Sequence, residues 1–233
     1  AIAILFATNA DFFVSGVPAP SQELNADAAS PPDLIGGYAL LDRLVTEAEA
    51  QTVQESNEGR TALEAENGAV LLTDDLYNLG RDAFYNETFG NERFMTEVLG
   101  VMDGPLNLRS FLDASLRLGN QGTTNLQVPV YEDVTIGGQT FEADTMLNTG
   151  LDVPGGAMIP VGMAMRWNKG QLQVGITCAM CHAAVDEDSG KIIVGVPNTD
   201  LNAGLILAMA SNSAAFFRHT NINPLDMPAG VGA

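Results

Sequence analysis

The chain has 233 residues, of which 46% are hydrophobic, so it can bury the core of one large domain or of one domain with an extension. Its formal net charge is −19, which predicts a surface that repels nucleic acid and anionic membranes and attracts basic partners. The two cysteines lie three positions apart, which excludes a disulfide framework and a four-cysteine zinc or iron-sulfur site.

The charge divides the chain into an acidic N-terminal part and a nearly neutral C-terminal part. Residues 1–159 carry 24 acidic and 6 basic side chains, whereas residues 160–233 carry 5 acidic and 4 basic side chains. We therefore expect the acidic surface to lie outside the C-terminal segment, and we interpret residues 1–70 as an acidic N-terminal extension.

The extension is predicted to begin with a buried strand. Residues 1–7 are apolar, but this run is far shorter than the roughly 20 residues that cross a membrane, and no other stretch approaches that length. Residues 18–32 are rich in Pro, Ala, Ser and Asp, which predicts a loop. Apolar residues at spacings of three and four predict a helix over 34–45, and the acidic stretch 47–67 predicts a solvated helix or a mobile segment.

A second domain is predicted over residues 71–233, with an insertion at about 100–160. Its first helix is predicted to begin at residues 73–75, where a threonine and two aspartates favour a helix N-terminus. The spacing of apolar residues predicts further helices over 92–102 and 108–118.

The insertion is predicted to contain a β-hairpin. Apolar and polar residues alternate between 126 and 146, and the glycines at 137–138 separate residues 134–136 from residues 140–141. Residues 147–162 follow as a loop rich in glycine and proline.

The clearest helical pattern lies near the C-terminus. Asn198 or Thr199 can cap this helix, an apolar stripe runs from Leu201 to Phe216, and the helix is predicted to end at Asn221. The chain contains no internal repeat, which disfavours repeat architectures.

One short motif carries the chemistry of the chain, namely Cys178-Ala179-Met180-Cys181-His182. This C-x-x-C-H pattern is the signature of c-type haem attachment. On a single helical turn, two intervening residues bring both sulfurs to the vinyl groups along one edge of a porphyrin, and the next residue points its imidazole at the iron. One peptide thereby supplies two thioethers and the proximal ligand.

Two other interpretations of the motif compete with haem attachment. A thioredoxin-like dithiol requires its C-x-x-C at the end of a strand in a β-α-β pattern, and the sequence indicates no second pair of parallel strands. A zinc site needs further ligands, and His219 is the only histidine outside the motif. Haem attachment is the favoured interpretation, and a thiol-disulfide oxidoreductase is the alternative.

With this motif, residues 160–233 resemble a class I c-type cytochrome that carries one covalently attached haem c. We therefore expect a mainly α fold, a cytochrome c-like haem domain with a small β-hairpin insertion and an N-terminal extension. Gly80-Arg81 followed by Phe84 resembles the start of the helix that normally precedes the haem motif closely. This resemblance implies that residues 100–160 are an insertion within the haem domain.

The resemblance also implies residues that act on the haem iron. Pro197 resembles the proline whose carbonyl accepts from the histidine ring, a bond that would raise the basicity of His182 as a ligand. Met227, in a Met-Pro pair, is the implied sixth ligand, and His219 is the alternative that would give a bis-histidine haem of lower potential. Three methionines before the motif are further candidates: Met158, Met163 and Met165.

Three residues just before the motif are placed to meet the haem propionates: Arg166, Trp167 and Lys169. Two cations and an indole N–H suit buried carboxylates. Core packing is an equally good interpretation of Trp167.

Together these features predict one-electron transfer between redox partners outside the cytoplasm. Haem c implies a periplasmic, lumenal or extracellular protein made with an export signal, and the acidic surface favours basic partners. The chain could also be a subunit of a larger complex. A haem peroxidase or oxygenase with an open sixth position is a further alternative, although the haem segment contains no convincing general base beside the iron.

Overall fold

The structure is a computed structural model that describes residues 12–14, 17–24, 31–168 and 170–213. By its internal contacts the chain forms two units. The smaller unit comprises residues 25–83, and the larger unit comprises residues 1–24 and 84–233. The C-x-x-C-H motif lies in the larger unit. The strand predicted at residues 1–7 lies outside the described residues.

Short strands and helices make up the smaller unit. Its strands pair antiparallel in the order β4-β3-β5, with β3 at Tyr38–Ala39, β4 at Leu44–Val45 and β5 at Val70–Leu71. Its helices are α1 at Pro31–Leu34, α2 at Glu47–Val53 and α3 at Asn57–Ala62, followed by a 3-10 turn at Ala65–Asn67. The described core of this unit is formed by Val45, Ala50 and Leu63.

The helix predicted over residues 34–45 is wrong, because the chain turns and continues as β3 and β4. Gly36 has a φ of +87°, and a Cβ on Gly37 would lie 2.1 Å from the carbonyl oxygen of Val45. These two glycines permit a close turn that a helix does not contain. The acidic stretch 47–67 is helical over most of its length, in α2 and α3.

Helix α4, Asp74–Asn86, begins where the sequence predicts. The Thr73 hydroxyl accepts a hydrogen bond from the Leu76 amide at 3.2 Å, which satisfies a backbone donor of the first turn.

Two three-stranded sheets form the framework of the larger unit. The first has the order β1-β10-β11, all antiparallel, with β1 at Phe12–Val14, β10 at Met163–Asn168 and β11 at Gln171–Ile176. The second has the order β12-β13-β2, with β2 at Glu23–Leu24, β12 at Ala183–Val185 and β13 at Ile192–Val194. In the second sheet β12 and β13 are antiparallel, whereas β13 and β2 are parallel.

Two further pairs of strands lie in the region predicted as an insertion. Strand β6, Gln127–Pro129, pairs with β9, Met146–Asn148. Strand β7, Val134–Ile136, pairs with β8, Gln139–Phe141, which confirms the predicted hairpin.

The helices of the larger unit after α4 are short. They are α5 at Asn91–Arg93, a π-helix at Phe94–Leu99, α6 at Leu108–Leu118, α7 at Ala179–His182 and α8 at Ala203–Ala208. The helix predicted over 108–118 is confirmed. The helix predicted over 92–102 is instead one α-helical turn followed by the π-helix.

The predicted C-terminal helix begins later than the sequence suggests. Asn202, rather than Asn198 or Thr199, caps α8 by accepting a hydrogen bond from the Leu205 amide at 3.1 Å. The predicted end of this helix, at Asn221, lies outside the described residues.

The prediction of a mainly α fold is wrong. The described residues are 34% helix and 22% strand, and the strands form several small sheets. The largest difference lies just before the motif, where β10 and β11 form a hairpin. The sequence of this hairpin alternates, because β11 reads Gln-Leu-Gln-Val-Gly-Ile and its apolar residues pair with Met163, Met165 and Trp167 of β10, so a strand signal was present and was overlooked.

Two hydrophobic clusters position the motif. The main core contains seven of the largest fully buried side chains, Leu106, Leu126, Val128, Val130, Leu151, Val153 and Met209. A second cluster packs Ala179, Ala183 and Val185, from α7 and β12, against Tyr85 and Ile192. Burying a Val or Leu side chain contributes about 1.5–3 kcal/mol, so these clusters anchor both α7 and the strand after it.

Candidate functional site

The C-x-x-C-H motif forms a single helical turn directly after β11. The amides of Cys181 and His182 both donate to the Cys178 carbonyl, at 3.3 and 3.1 Å. Cys178 is exposed, Cys181 is half-buried, and His182 is exposed at the end of α7. Both cysteines therefore belong to one turn, which is the local geometry that attachment to two neighbouring vinyl groups requires.

A close backbone contact holds this turn from the upstream side. The Thr177 amide donates to the Gly162 carbonyl at 2.9 Å. Gly162 has a φ of +75°, and a Cβ at this position would lie 2.0 Å from the Met180 nitrogen. Only glycine allows the two segments to approach so closely.

A loop after β13 holds the turn from the other side. The Gly195 amide donates to the His182 carbonyl, and the Asn198 amide donates to the Cys181 carbonyl, both at 2.9 Å. Pro197 lies between these two contacts and is exposed. The structure thus brings Pro197 close to the motif, and a bond from its carbonyl to the His182 ring stays a prediction.

A buried carboxyl group is connected to the same loop. Asp152 is 3% exposed, and its carboxylate accepts hydrogen bonds from the Val185 amide and from the side-chain amide of Asn198. Burial, with smaller contributions from the charges of Asp200 and Glu187, raises the pKa of Asp152 to about 7 against the effect of both bonds. This carboxyl group therefore titrates near neutral pH.

An apolar cavity of about 340 Å³ opens beside the motif. The motif contributes Met180 and Cys181 to its wall. The other lining residues come from 91–111, Leu151, β10, β11 and the region of α8: Asn91, Phe94, Met95, Leu99, Val101, Met102, Phe111, Leu151, Met163, Val174, Ile176, Leu201, Ala203, Ile206 and Leu207. Its size lies in the range of ligand pockets, roughly 300–1,000 Å³.

Side chains of α5 and the π-helix attach one wall of this cavity to β11. The Asn91 amide group donates to the Ile176 carbonyl at 2.7 Å and accepts from the Ile176 amide at 2.9 Å. The Thr96 hydroxyl accepts from the Val174 amide at 2.9 Å. These contacts replace the backbone partners that another strand would supply at this edge of the sheet.

Arg166 lies opposite a buried acid rather than among cavity residues. Its guanidinium is 3.6 Å from the carboxylate of Glu92. Burial alone would raise the pKa of Glu92, but a hydrogen bond from Thr88, together with Arg166 and Arg93, lowers it overall. The predicted contact of Arg166 with a haem propionate stays a prediction.

The other predicted haem neighbours are distributed as follows. Trp167 is half-buried on β10, and Lys169 lies outside the described residues. Met163 lines the cavity, Met165 packs against the main core, and Met158 is 45% exposed. His219 and Met227, the alternative sixth ligands, also lie outside the described residues.

Sequence reasoning missed several residues that shape the site. Asp152, Asn91, Asn198 and Gly162 were not identified as site residues, and the glycine and proline content of residues 147–162 indicated only a loop. Asn91 and Asp152 are polar residues beside buried apolar ones, which was the available signal, but their partners are distant in sequence. Asn198 was identified only as a possible helix cap.

The cysteines differ in their surroundings. Burial, with a smaller contribution from Cys178, raises the pKa of the Cys181 thiol.

Within the described ranges, no three His, Cys, Asp or Glu side chains form a metal-binding group.

No known protein family, curated protein or solved structure matches the chain. Among the described residues, no helix combines the length and apolar character needed to span a membrane.

Proposed function

We propose that this chain is a c-type cytochrome that carries one haem c and transfers single electrons between redox partners. The observation that carries the proposal is that Cys181 of the C-x-x-C-H turn lines the apolar cavity. The residues present fit the group, because the cysteines share one helical turn and the cavity beside Cys181 is apolar. When bound, haem would supply an iron that alternates between the ferric and ferrous states.

In this proposal each part of the site has a separate role. Cys178 and Cys181 would hold the porphyrin through thioethers, and His182 would bind the iron. The apolar wall excludes water from the porphyrin, and such exclusion favours the less charged ferrous state. Met227 is the proposed sixth ligand, with His219 as the alternative.

The lining of the cavity supports a carrier over a peroxidase or oxygenase. Among the described residues that line it, Asn91 and Cys181 are the only ones with polar side-chain groups, and neither is a carboxyl or imidazole group. A peroxidase needs a general acid or base within reach of the iron. A carrier needs only a haem that is shielded from water and accessible at an edge.

The mass of the denatured protein tests haem attachment. We expect the wild-type chain to retain one haem after denaturation, because two thioethers are covalent. Cys178→Ser/Cys181→Ser should release it, whereas Cys178→Ser alone should retain it through Cys181. Wild-type protein that loses all haem on denaturation would refute the proposal.

The cysteine environments favour one alternative function, that of a thiol-disulfide oxidoreductase. Cys178 is exposed at the start of α7, and Cys181 is half-buried with a raised pKa, so Cys178 could attack a partner disulfide and Cys181 could resolve the mixed disulfide. The two thiols would lose two electrons and two protons as the partner disulfide is reduced. Isolation of haem-free wild-type protein with a reversible Cys178–Cys181 disulfide would support this function.

The proposed location is outside the cytoplasm, with basic proteins as the redox partners. The formal net charge of −19 supports attraction to basic partners, and the association rate should then fall as salt screens the charges. Detection of the protein in a periplasmic or secreted fraction tests the location.

A further inference from the structure

The carboxylate of Asp152 is held by two donors in the interior of the larger unit. One oxygen accepts from the backbone amide of Val185, and the other accepts from Nδ2 of Asn198 at 3.1 Å. Asp152 is 3% exposed, so water does not replace these partners. Both positions around the carboxylate therefore present hydrogen-bond donors.

The orientation of the Asn198 amide is fixed by its other contacts. Its Oδ1 accepts from the backbone amides of Asp200 and Leu201, at 3.2 and 3.1 Å, so its Nδ2 must face Asp152. A carboxylate satisfies both donors. The side-chain NH2 of an asparagine at this position would place a donor against one of these two donors.

These bonds reach both sides of the turn that carries the motif. The Asn198 backbone amide donates to the Cys181 carbonyl at 2.9 Å. Val185 is the last residue of β12, the strand that begins directly after His182. Asp152 is therefore connected to Cys181 through Asn198, and to the strand after His182 through Val185.

We propose that Asp152 is a positioning residue that fixes the turn carrying Cys181 and His182, and that its charge makes the reduction potential of the attached haem depend on pH. This inference rests on the proposed cytochrome function. A carboxylate in the interior stabilises ferric iron, and protonation removes this effect. Reduction then consumes one electron from the redox partner and up to one proton from solvent.

The charged neighbours of Asp152 favour protonation on reduction. Asp200 lies in the loop that contains Asn198, and Glu187 lies in the turn after β12; both raise the pKa of Asp152. Val161, which donates its amide to the Asp152 carbonyl at 2.8 Å, contributes no charge. On the described elements around it, the charges that act on Asp152 are thus acidic, and its burial acts in the same direction.

The test is the reduction potential of the haem-loaded protein, measured from pH 5 to 9. We expect the wild-type potential to fall with increasing pH across about 7, and Asp152→Asn to remove this dependence. Glu187→Gln is the matched control, because it removes a neighbouring charge and leaves Asp152 in place. Its reduction potential should still depend on pH, with the midpoint of the change at a lower pH. The proposal would be overturned by a wild-type reduction potential that does not depend on pH. It would also be overturned if the potential of Asp152→Asn changed with pH as the wild-type potential does.

Two measurements keep the proposal testable if Asp152→Asn fails to fold. Asp200→Asn leaves Asp152 in place, and it should move the midpoint of the potential to lower pH; an unmoved midpoint contradicts the proposal. The NMR shift of the Val185 amide should titrate near pH 7 in the haem-loaded protein, with a higher midpoint in the ferrous than in the ferric state; equal midpoints in the two states contradict the proposal. Wild-type protein isolated without covalent haem would refute the cytochrome function, and titration of the Val185 amide in that protein would still support the positioning role.

Discussion

Replacing Gly162 by alanine should destabilise the motif more than an ordinary glycine substitution does. The left-handed φ of +75° costs a non-glycine residue about 1–2 kcal/mol. The new Cβ would also lie 2.0 Å from the Met180 nitrogen and 2.5 Å from the Met180 Cα, so the backbone of α7 must move. Overpacking of this kind costs about 1–3 kcal/mol, which gives a total on the order of 3–4 kcal/mol.

Thermal unfolding followed by circular dichroism measures this loss of stability. Each kcal/mol shifts the Tm of a domain of this size by about 2–4 °C, so Gly162→Ala should lower the Tm by roughly 10 °C. Gly156→Ala is the matched control, since Gly156 has a φ of +78° and no atom within 4 Å of the added Cβ. Equal losses in the two variants would refute the argument that a close contact with α7 requires glycine.

Three further predictions concern the cavity wall and the interior. Asn91→Ala should lower the free energy of unfolding by about 1–3 kcal/mol, because the amide and carbonyl of Ile176 both lose their partner; Asn91→Asp should retain one bond and lose less. Thr177→Val should stabilise the chain by about 1 kcal/mol, because the buried Thr177 hydroxyl has no partner among the described residues. Thr96→Val should instead destabilise the chain, because it leaves the Val174 amide unpaired. Denaturant unfolding that finds Thr96→Val more stable than Thr177→Val contradicts this prediction. The free energy of unfolding should fall as pH rises from about 4 to 7, since folded Asp152 binds its proton up to about pH 7 and the unfolded group only up to the ordinary aspartate pKa of 3.8. The contribution of Asp152 to this fall is on the order of 4 kcal/mol, and denaturant unfolding of Asp152→Asn across the same pH range should lack it.

The motif and its helical turn could be predicted because their geometry is local. Five consecutive residues contain the two thiols and the imidazole, and a turn that begins after Cys178 places them on one short helix. The hairpin at 134–141 was predictable for the same reason, since its turn and both strands are contiguous. The helix at 108–118 has a capping residue and an apolar face within its own sequence.

The cavity and the interior network could not be predicted in this way. The cavity is lined by residues from 91–111, from β10 and β11, and from α8, and no sequence pattern indicates that these meet. The bond between Asp152 and Asn198 joins residues 46 positions apart. Strands β10 and β11 are a different case, because β11 alternates polar and apolar residues from Gln171 to Ile176, and this local signal was overlooked.

Backbone hydrogen bonds between protein segments shape the motif turn. The backbone bonds from Thr177 to Gly162, from Gly195 to His182 and from Asn198 to Cys181 are all made within the protein. A turn held in this way loses little conformational entropy when a ligand attaches, which favours preorganised binding. In the proposed cytochrome, the same arrangement sets two opposing influences on the iron, because the apolar cavity favours the ferrous state and the Asp152 carboxylate favours the ferric state. Protonation of Asp152 removes the second influence and leaves the first, so the direction of the pH effect follows from the placement of one buried carboxyl group.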